Sequence, residues 1–179
     1  MKNTLMILAM SLLGLSANAQ FTKAELQATG LTCAMCSNAI NKALQGLPFV
    51  QSVKADIKNS AFHIVFKETT ATDIDAIKNA VEGAGFGMGS LKLTGQFDGV
   101  QIENDTHVKI GDKNFHFLEV SSQVLQGEKT IRVVDKDFLT AKQFRKFSTA
   151  SKMKCVETGK AANCCSGVQA ETRMYHVTI

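Results

Sequence analysis

Between residues 24 and 93 the spacing of apolar side chains switches repeatedly between a period of two and a helical period, and few folds can absorb that order. Ala24, Leu26 and Ala28 alternate with Glu25, Gln27 and Thr29, which describes a strand with one buried face. Cys36, Ala39, Ile40, Ala43, Leu44 and Leu47 then recur at helical spacing, and Gly46 and Pro48 end that run. Val53, Ala55 and Ile57 give a second strand, and Asn59-Ser60 a turn. Phe62, Ile64 and Phe66 face one way in a third. Thr72 is placed to cap a second helix with Ile74, Ile77, Val81 and Ala84 on one stripe, stopped at Gly83-Ala84-Gly85. Met88 to Leu93 supplies the last strand.

The resulting order, β-α-β-β-α-β, is the split βαβ of ferredoxin-like folds, with two helices over one face of a four-stranded antiparallel sheet. At its first strand-to-helix junction stands Gly30-Leu31-Thr32-Cys33-Ala34-Met35-Cys36. Two thiols three residues apart are soft donors that select Cu(I), Zn(II) or Hg(II)-like ions over harder ones. A helix N-terminus favours thiolate, so a metal ion can displace the proton near neutral pH. Two thiolates suit Cu(I), which accepts low coordination, whereas structural Zn(II) wants four ligands. Thiol–disulfide exchange is the rival chemistry for such a pair. It usually sits in a thioredoxin-like unit with a cis-proline facing the cysteines, and this chain's one proline, Pro48, lies at a helix end.

Residues 22–94 resemble a heavy-metal-associated domain, the module of copper chaperones, of copper-ATPase N-terminal domains and of periplasmic mercury-binding proteins. The Gly30–Cys36 run is similar to the family's Gly-Met-Thr-Cys-x-x-Cys. Gly46-Leu47-Pro48-Phe49-Val50-x-x-Val53 is similar to its Gly-x-x-Gly-Val-x-x-Val, with Phe49 in place of the second glycine. Gly85-Phe86 stands where members carry an aromatic or a lysine close to the metal. Leu31 replaces the family's usual methionine, a near-isosteric change that should preserve the loop. The resemblance implies Cys33 and Cys36 as metal ligands with Thr32 and Phe86 in the outer shell. It implies Cu(I) as the ion, with Hg(II) or Zn(II) as alternatives, and a protein partner that takes the metal. No catalytic residue is implied. A thiol oxidoreductase acting through the same two cysteines is the enzymatic alternative.

Residues 1–19 read as a signal peptide: Lys2, an apolar core from Leu5 to Leu15, and Ala17-Asn18-Ala19 as the cleavage site. That apolar core is shorter than the roughly 20 residues a spanning helix needs, so no stable membrane span is expected after cleavage. The chain is therefore expected to be exported, to the periplasm of a double-membrane bacterium. A net charge of +4 with scattered basic residues argues against nucleic acid as a partner.

The expected organisation is residues 1–19 signal, 20–94 heavy-metal-associated domain and 95–179 a β-rich domain of unassigned role. In the last segment Val108-Ile110, Phe115-Val120 and Thr130-Val134 read as strands. Phe138, Ala141, Phe144 and Ser148 read as a helix, and Lys154-Cys155-Val156 and Met174 to Ile179 as closing strands, together an OB-like small barrel. Cys155, Cys164 and Cys165 admit three readings: a disulfide from Cys155 to one of the pair, a second soft-metal site joined by His176, or three unpaired thiols, some of them buried. His63, His107 and His116 read as isolated strand residues. No Ser-His-Asp order, phosphate-cradling glycine loop or paired-carboxylate site stands out.

Overall fold

The computed structural model describes residues 21–31 and 34–179; the expected signal segment, Thr32 and Cys33 lie outside them. Strand β1 (Phe21–Thr29) buries Ala24, Leu26 and Ala28, as alternation predicts. It leads to helix α1 (Ala34–Gln45), pinned by the fully buried Ile40 and Leu44. Strands β2 (Val50–Asp56) and β3 (Ala61–Phe66) form a hairpin, and Ile57 falls in its turn, 60% exposed, rather than in the strand. Helix α2 (Ile74–Gly83) follows, with Ile74, Ile77 and Val81 as its buried stripe. Its cap is Asp73, whose carboxylate accepts from the Ala76 N–H at 3.0 Å, and not the expected Thr72. Thr72 is buried instead, and its hydroxyl has no hydrogen-bond partner.

Strand β4 (Gly87–Ile102) is far longer than the stretch ending at Leu93 that its sequence suggested. It runs without interruption through residues 94 and 95, where a domain boundary was expected. Along one edge it pairs with β1, and along the other with β7 (Gln123–Val133). Between them in sequence lies a hairpin, β5 (Thr106–Ile110) and β6 (Lys113–Phe117). The last strand, β8 (Met174–Thr178), inserts between β7 and β6, antiparallel to the first and parallel to the second. One sheet results, in the order β2-β3-β1-β4-β7-β8-β6-β5. Its first four strands have the ferredoxin-like order.

The sheet is open, with β2 and β5 at its edges, so the expected OB-like barrel does not form. The physical reason is β4: it pairs with β1 from Gly87 to Gly95 and with β7 from Leu91 to Ile102, so the one strand carries the first sheet on into the second half and leaves no separate sheet to close. The segment around Cys155 also departs from expectation. It is a short helix, α4 (Cys155–Thr158), ended by Gly159 at φ +68° with its N–H on the Cys155 carbonyl. The preceding helix α3 (Ala141–Ser148) opens on a Thr140/Gln143 capping box and buries Phe147, while Phe138 sits in a separate 3-10 turn, Lys136–Phe138.

Two apolar clusters result. The larger joins α1, α2 and the sheet from Phe21 through Leu93 to Phe115 and Val177. The smaller, with Leu118, Val134, Phe147, Val156 and Met174, lies under α3 and α4. Strand β8 is buried on both faces, Tyr175 and Val177 in one cluster and Met174 in the other. Arg173 ties the halves together, forked onto Asp75 of α2 at 2.9 and 3.0 Å and reaching Asp135 at 2.8 Å.

Candidate metal centre

The Cys-x-x-Cys loop leaves β1 at Gly30, which takes φ +84°, a conformation glycine adopts without strain. Leu31 packs on the main cluster, as its substitution for methionine requires. Helix α1 then begins, placing Cys36 half-buried in its first turn, beside buried Ser37 and Met35, which is 83% exposed. Thr32 and Cys33, the other two expected members, lie outside the described residues. Phe86 closes the base of the loop: a Cβ on Gly30 would stand 3.9 Å from its ring. The chain reaches that position through Gly87, where a Cβ would meet Thr29 Oγ1 at 2.6 Å, so a larger residue there would have to displace the Thr29 side chain. Phe86 is therefore placed beside Gly30, where the loop leaves β1.

A second constellation forms in the C-terminal half. The β5–β6 hairpin sets His107 directly opposite His116, and the parallel pairing of β6 with β8 sets His116 opposite His176. Three imidazoles thus stand in a row across three strands, with ring centroids 4.4 and 5.1 Å apart. Each of the two fully buried histidines, His116 and His176, is oriented by an aspartate. His116 Nε2 lies 2.8 Å from Asp105 Oδ1, and His176 Nδ1 lies 2.5 Å from Asp135 Oδ1. A carboxylate only accepts, so Nε2 of His116 carries its proton and Nδ1 is left as a lone-pair donor. Burial, reinforced by the neighbouring His176 and His107 against the pull of Asp105, lowers the His116 pKa to about 4 and keeps the ring neutral.

Helix α4 lowers Cys155 onto this row. Its sulfur lies 3.6 Å from His116 Nδ1 and 3.9 Å from His107 Nε2. On its other side Cys155 meets Cys164 and Cys165, the three sulfurs all within 4.8 Å of one another and the last two 3.8 Å apart. All three are free thiols. Cys155 and Cys165 are buried, and Cys164 is exposed. Burial pushes the Cys155 thiol up, whereas the Cys155 backbone N–H holds the Cys164 thiol below its ordinary range. His176, expected as a ligand, stays outside both groups of donors within mutual reach, although its Nε2 is buried without a hydrogen-bond partner. His107 and His116, expected to be isolated, are the ones that face the cysteine. A signal for that pair was present: the two stand equally spaced about the Gly111-Asp112 turn, so a two-residue hairpin must place them opposite one another. His63 is exposed on β3.

Comparison with known proteins fits the first site. Residues 25–87 match the heavy-metal-associated domain, and this segment of the chain is such a domain. A probable copper-transporting ATPase of Arabidopsis thaliana is 31% identical over 65 residues, which is 36% of this chain and 6% of the ATPase. The chain therefore corresponds to a small part of that relative. Among solved structures, a copper-binding domain of a P-type ATPase is 32% identical, covering 36% of this chain and 86% of that one, with a TM-score of 0.33. The yeast copper transporter domain, solved in apo and Cu(I)-loaded states, is 25% identical over 37% of this chain and 90% of its own, with a TM-score of 0.34. The match ends at residue 87, so it does not reach the histidine–cysteine constellation.

Proposed function

We propose that this chain is an exported soft-metal-binding protein that carries or sequesters Cu(I) through Cys33 and Cys36 and passes it to a protein partner. The carrying observation is the heavy-metal-associated match over residues 25–87, which encloses a Cys-x-x-Cys at the start of α1. The ATPase relative is described as copper-transporting, which favours Cu(I) over Hg(II) and Zn(II). Two thiolates leave a Cu(I) ion room for a third. A partner's thiolate can add, and one of this chain's thiolates can then leave, so the ion moves without ever being free. Exposed Met35 offers an apolar contact beside the loop during that exchange. Phe86 keeps one side of the ion away from water. Export rests on the signal-like residues 1–19. No bond-making step on a substrate is involved, and no helix among the described residues is long and apolar enough to cross a membrane.

The test is titration of the reduced protein with Cu(I) against a competing chromogenic chelator, in parallel with a Cys33→Ser/Cys36→Ser variant. The variant should bind one tight equivalent fewer than the parent. Equal stoichiometry in the two proteins would overturn the assignment.

A further inference from the structure

We propose that Cys155, Cys164 and Cys165, together with His107 and His116, form a second soft-metal site, built for a d10 ion such as Cu(I). This goes beyond the function assigned to the Cys33–Cys36 loop and does not depend on it.

An ion with metal–sulfur bonds of about 2.3 Å and metal–nitrogen bonds of about 2.0 Å holds its donor atoms roughly 3.5–4 Å apart. The separations here are 3.6 Å and 3.9 Å from Cys155 to the two imidazoles and 3.8 Å between Cys164 and Cys165. Cys155 belongs to both triads, His107–His116–Cys155 and Cys155–Cys164–Cys165, so its sulfur is the centre of the site. Thiolates and imidazoles together are the donor set of soft and borderline ions and a poor one for Mg2+ or Ca2+.

Support behind the donors points the same way. Metal-ligating histidines characteristically give their second ring nitrogen to a carboxylate, which fixes tautomer and orientation. Asp105 does this for His116 and leaves Nδ1 aimed at Cys155. Asp105 sits at φ +59° at the entry to β5, so the backbone itself adopts an unfavoured conformation where the carboxylate is delivered. Burial alone would favour apolar residues here: three fully or nearly fully buried polar groups, His116, His176 and Asp135, are set beside a cluster of Leu118, Val134 and Met174. His176 keeps an unpartnered buried nitrogen one ring away from His116, a further lone pair facing this interior. Access runs through Cys164, which is exposed on the wall of a surface pocket of about 500 Å3 bordered by Lys154, Ala162, Asn163 and Glu171. Metal entering there replaces the thiol protons, which pass to solvent, and no change of oxidation state is involved.

The experiment uses the full chain in a Cys33→Ser/Cys36→Ser background, so that failure of the N-terminal assignment cannot mask the result. Reduced protein is titrated with Cu(I) against a chromogenic chelator, and the loaded form is measured by X-ray absorption at the copper edge. A residual tight equivalent should remain, with both sulfur and nitrogen in its coordination shell. Cys164→Ser, an exposed position whose replacement leaves the core intact, should weaken it at least tenfold. Cys155→Ser should abolish it, with circular dichroism checking that the fold persists. Absence of the residual equivalent would overturn the proposal. So would a Cys155 disulfide to Cys164 or Cys165 that persists in the presence of reductant and Cu(I), and so would a copper shell unchanged by Cys164→Ser.

Discussion

The two thiol sites of this molecule are built in opposite ways. The N-terminal one is local: its residues are consecutive, it hangs at the start of α1, and Met35 beside it is open to solvent. The C-terminal one draws its donors from β5, β6 and α4 and from the loop after α4, across 59 positions of chain from His107 to Cys165, and most of it is buried. On the proposed function, an ion in the first would pass to a partner's thiolate at the start of α1, beside exposed Met35. An ion in the second would lie against the sheet among mostly buried donors, with Cys164 exposed and His107 half-buried. The contrast separates exchange from retention: the same soft-donor chemistry, placed at an exposed end, suits transfer, and placed between sheet and helix, suits storage or structural reinforcement.

That comparison presumes one framework carrying both sites, and the largest expected effect tests it. Leu93 is fully buried in β4, opposite Ala24 of β1 on one side and Ile131 of β7 on the other. Leu93→Ala should cost about 2–5 kcal/mol. Because β4 belongs to both halves, the urea midpoint should fall equally by far-ultraviolet circular dichroism and by fluorescence of Tyr175, the chain's one tyrosine. An unmoved Tyr175 transition would make the halves separate folding units.

Acidity should distinguish the halves next. His116 has its pKa lowered from 6.5 to about 4, chiefly by burial. Between those values the unfolded chain binds the proton and the folded one does not. Stability of the metal-free protein therefore rises with pH through that window and is lost as pH falls from about 6.5 towards 4, by about 3 kcal/mol for this one group. His107, lowered by burial and by His176, adds in the same direction. Urea midpoints measured across that range should show the slope in the parent and a flatter one in His116→Gln. A slope identical in both would mean that the buried imidazole row is not what titrates.

Legibility in the sequence follows the same divide. The N-terminal half declares itself because each of its signals is short-range: alternation at Ala24, Leu26 and Ala28, the helical stripe ending at Leu44, and a motif contained in seven residues. Even the misplaced cap, Thr72 for Asp73, is an error of one position. The C-terminal half is set by pairings distant in sequence. Nothing in Lys154-Cys155-Val156 marks it as a helix, because both residues after Lys154 are buried, and only Gly159 as a left-handed stop settles the matter. The His107–His116 pairing could be read from the turn between them. The addition of Cys155 could not, because it depends on β8 entering between β7 and β6 and on α4 packing where that insertion leaves room. The barrel expectation failed for a related reason: short apolar runs at 108–134 are compatible with closure, and only the length of β4 decides against it.

Smaller effects sharpen the comparison. Asp105→Asn keeps the turn but weakens the acceptor on His116, and should lower Cu(I) affinity of the C-terminal site about tenfold while leaving the Cys33–Cys36 site unchanged. Chelator competition on the two single-site backgrounds measures both. Smallest of all, Asp73→Ala and Thr140→Ala each remove a helix cap, α2 in one half and α3 in the other, and each should cost about 1 kcal/mol. If the framework is shared, both lower the same urea midpoint.

The most direct test of two sites with opposite accessibility is stopped-flow removal of Cu(I) from the fully loaded protein by excess chelator. The structure predicts two phases: a fast one that disappears in Cys33→Ser/Cys36→Ser and a slow one that disappears in Cys155→Ser. A single phase, unaltered by either variant, would contradict the account.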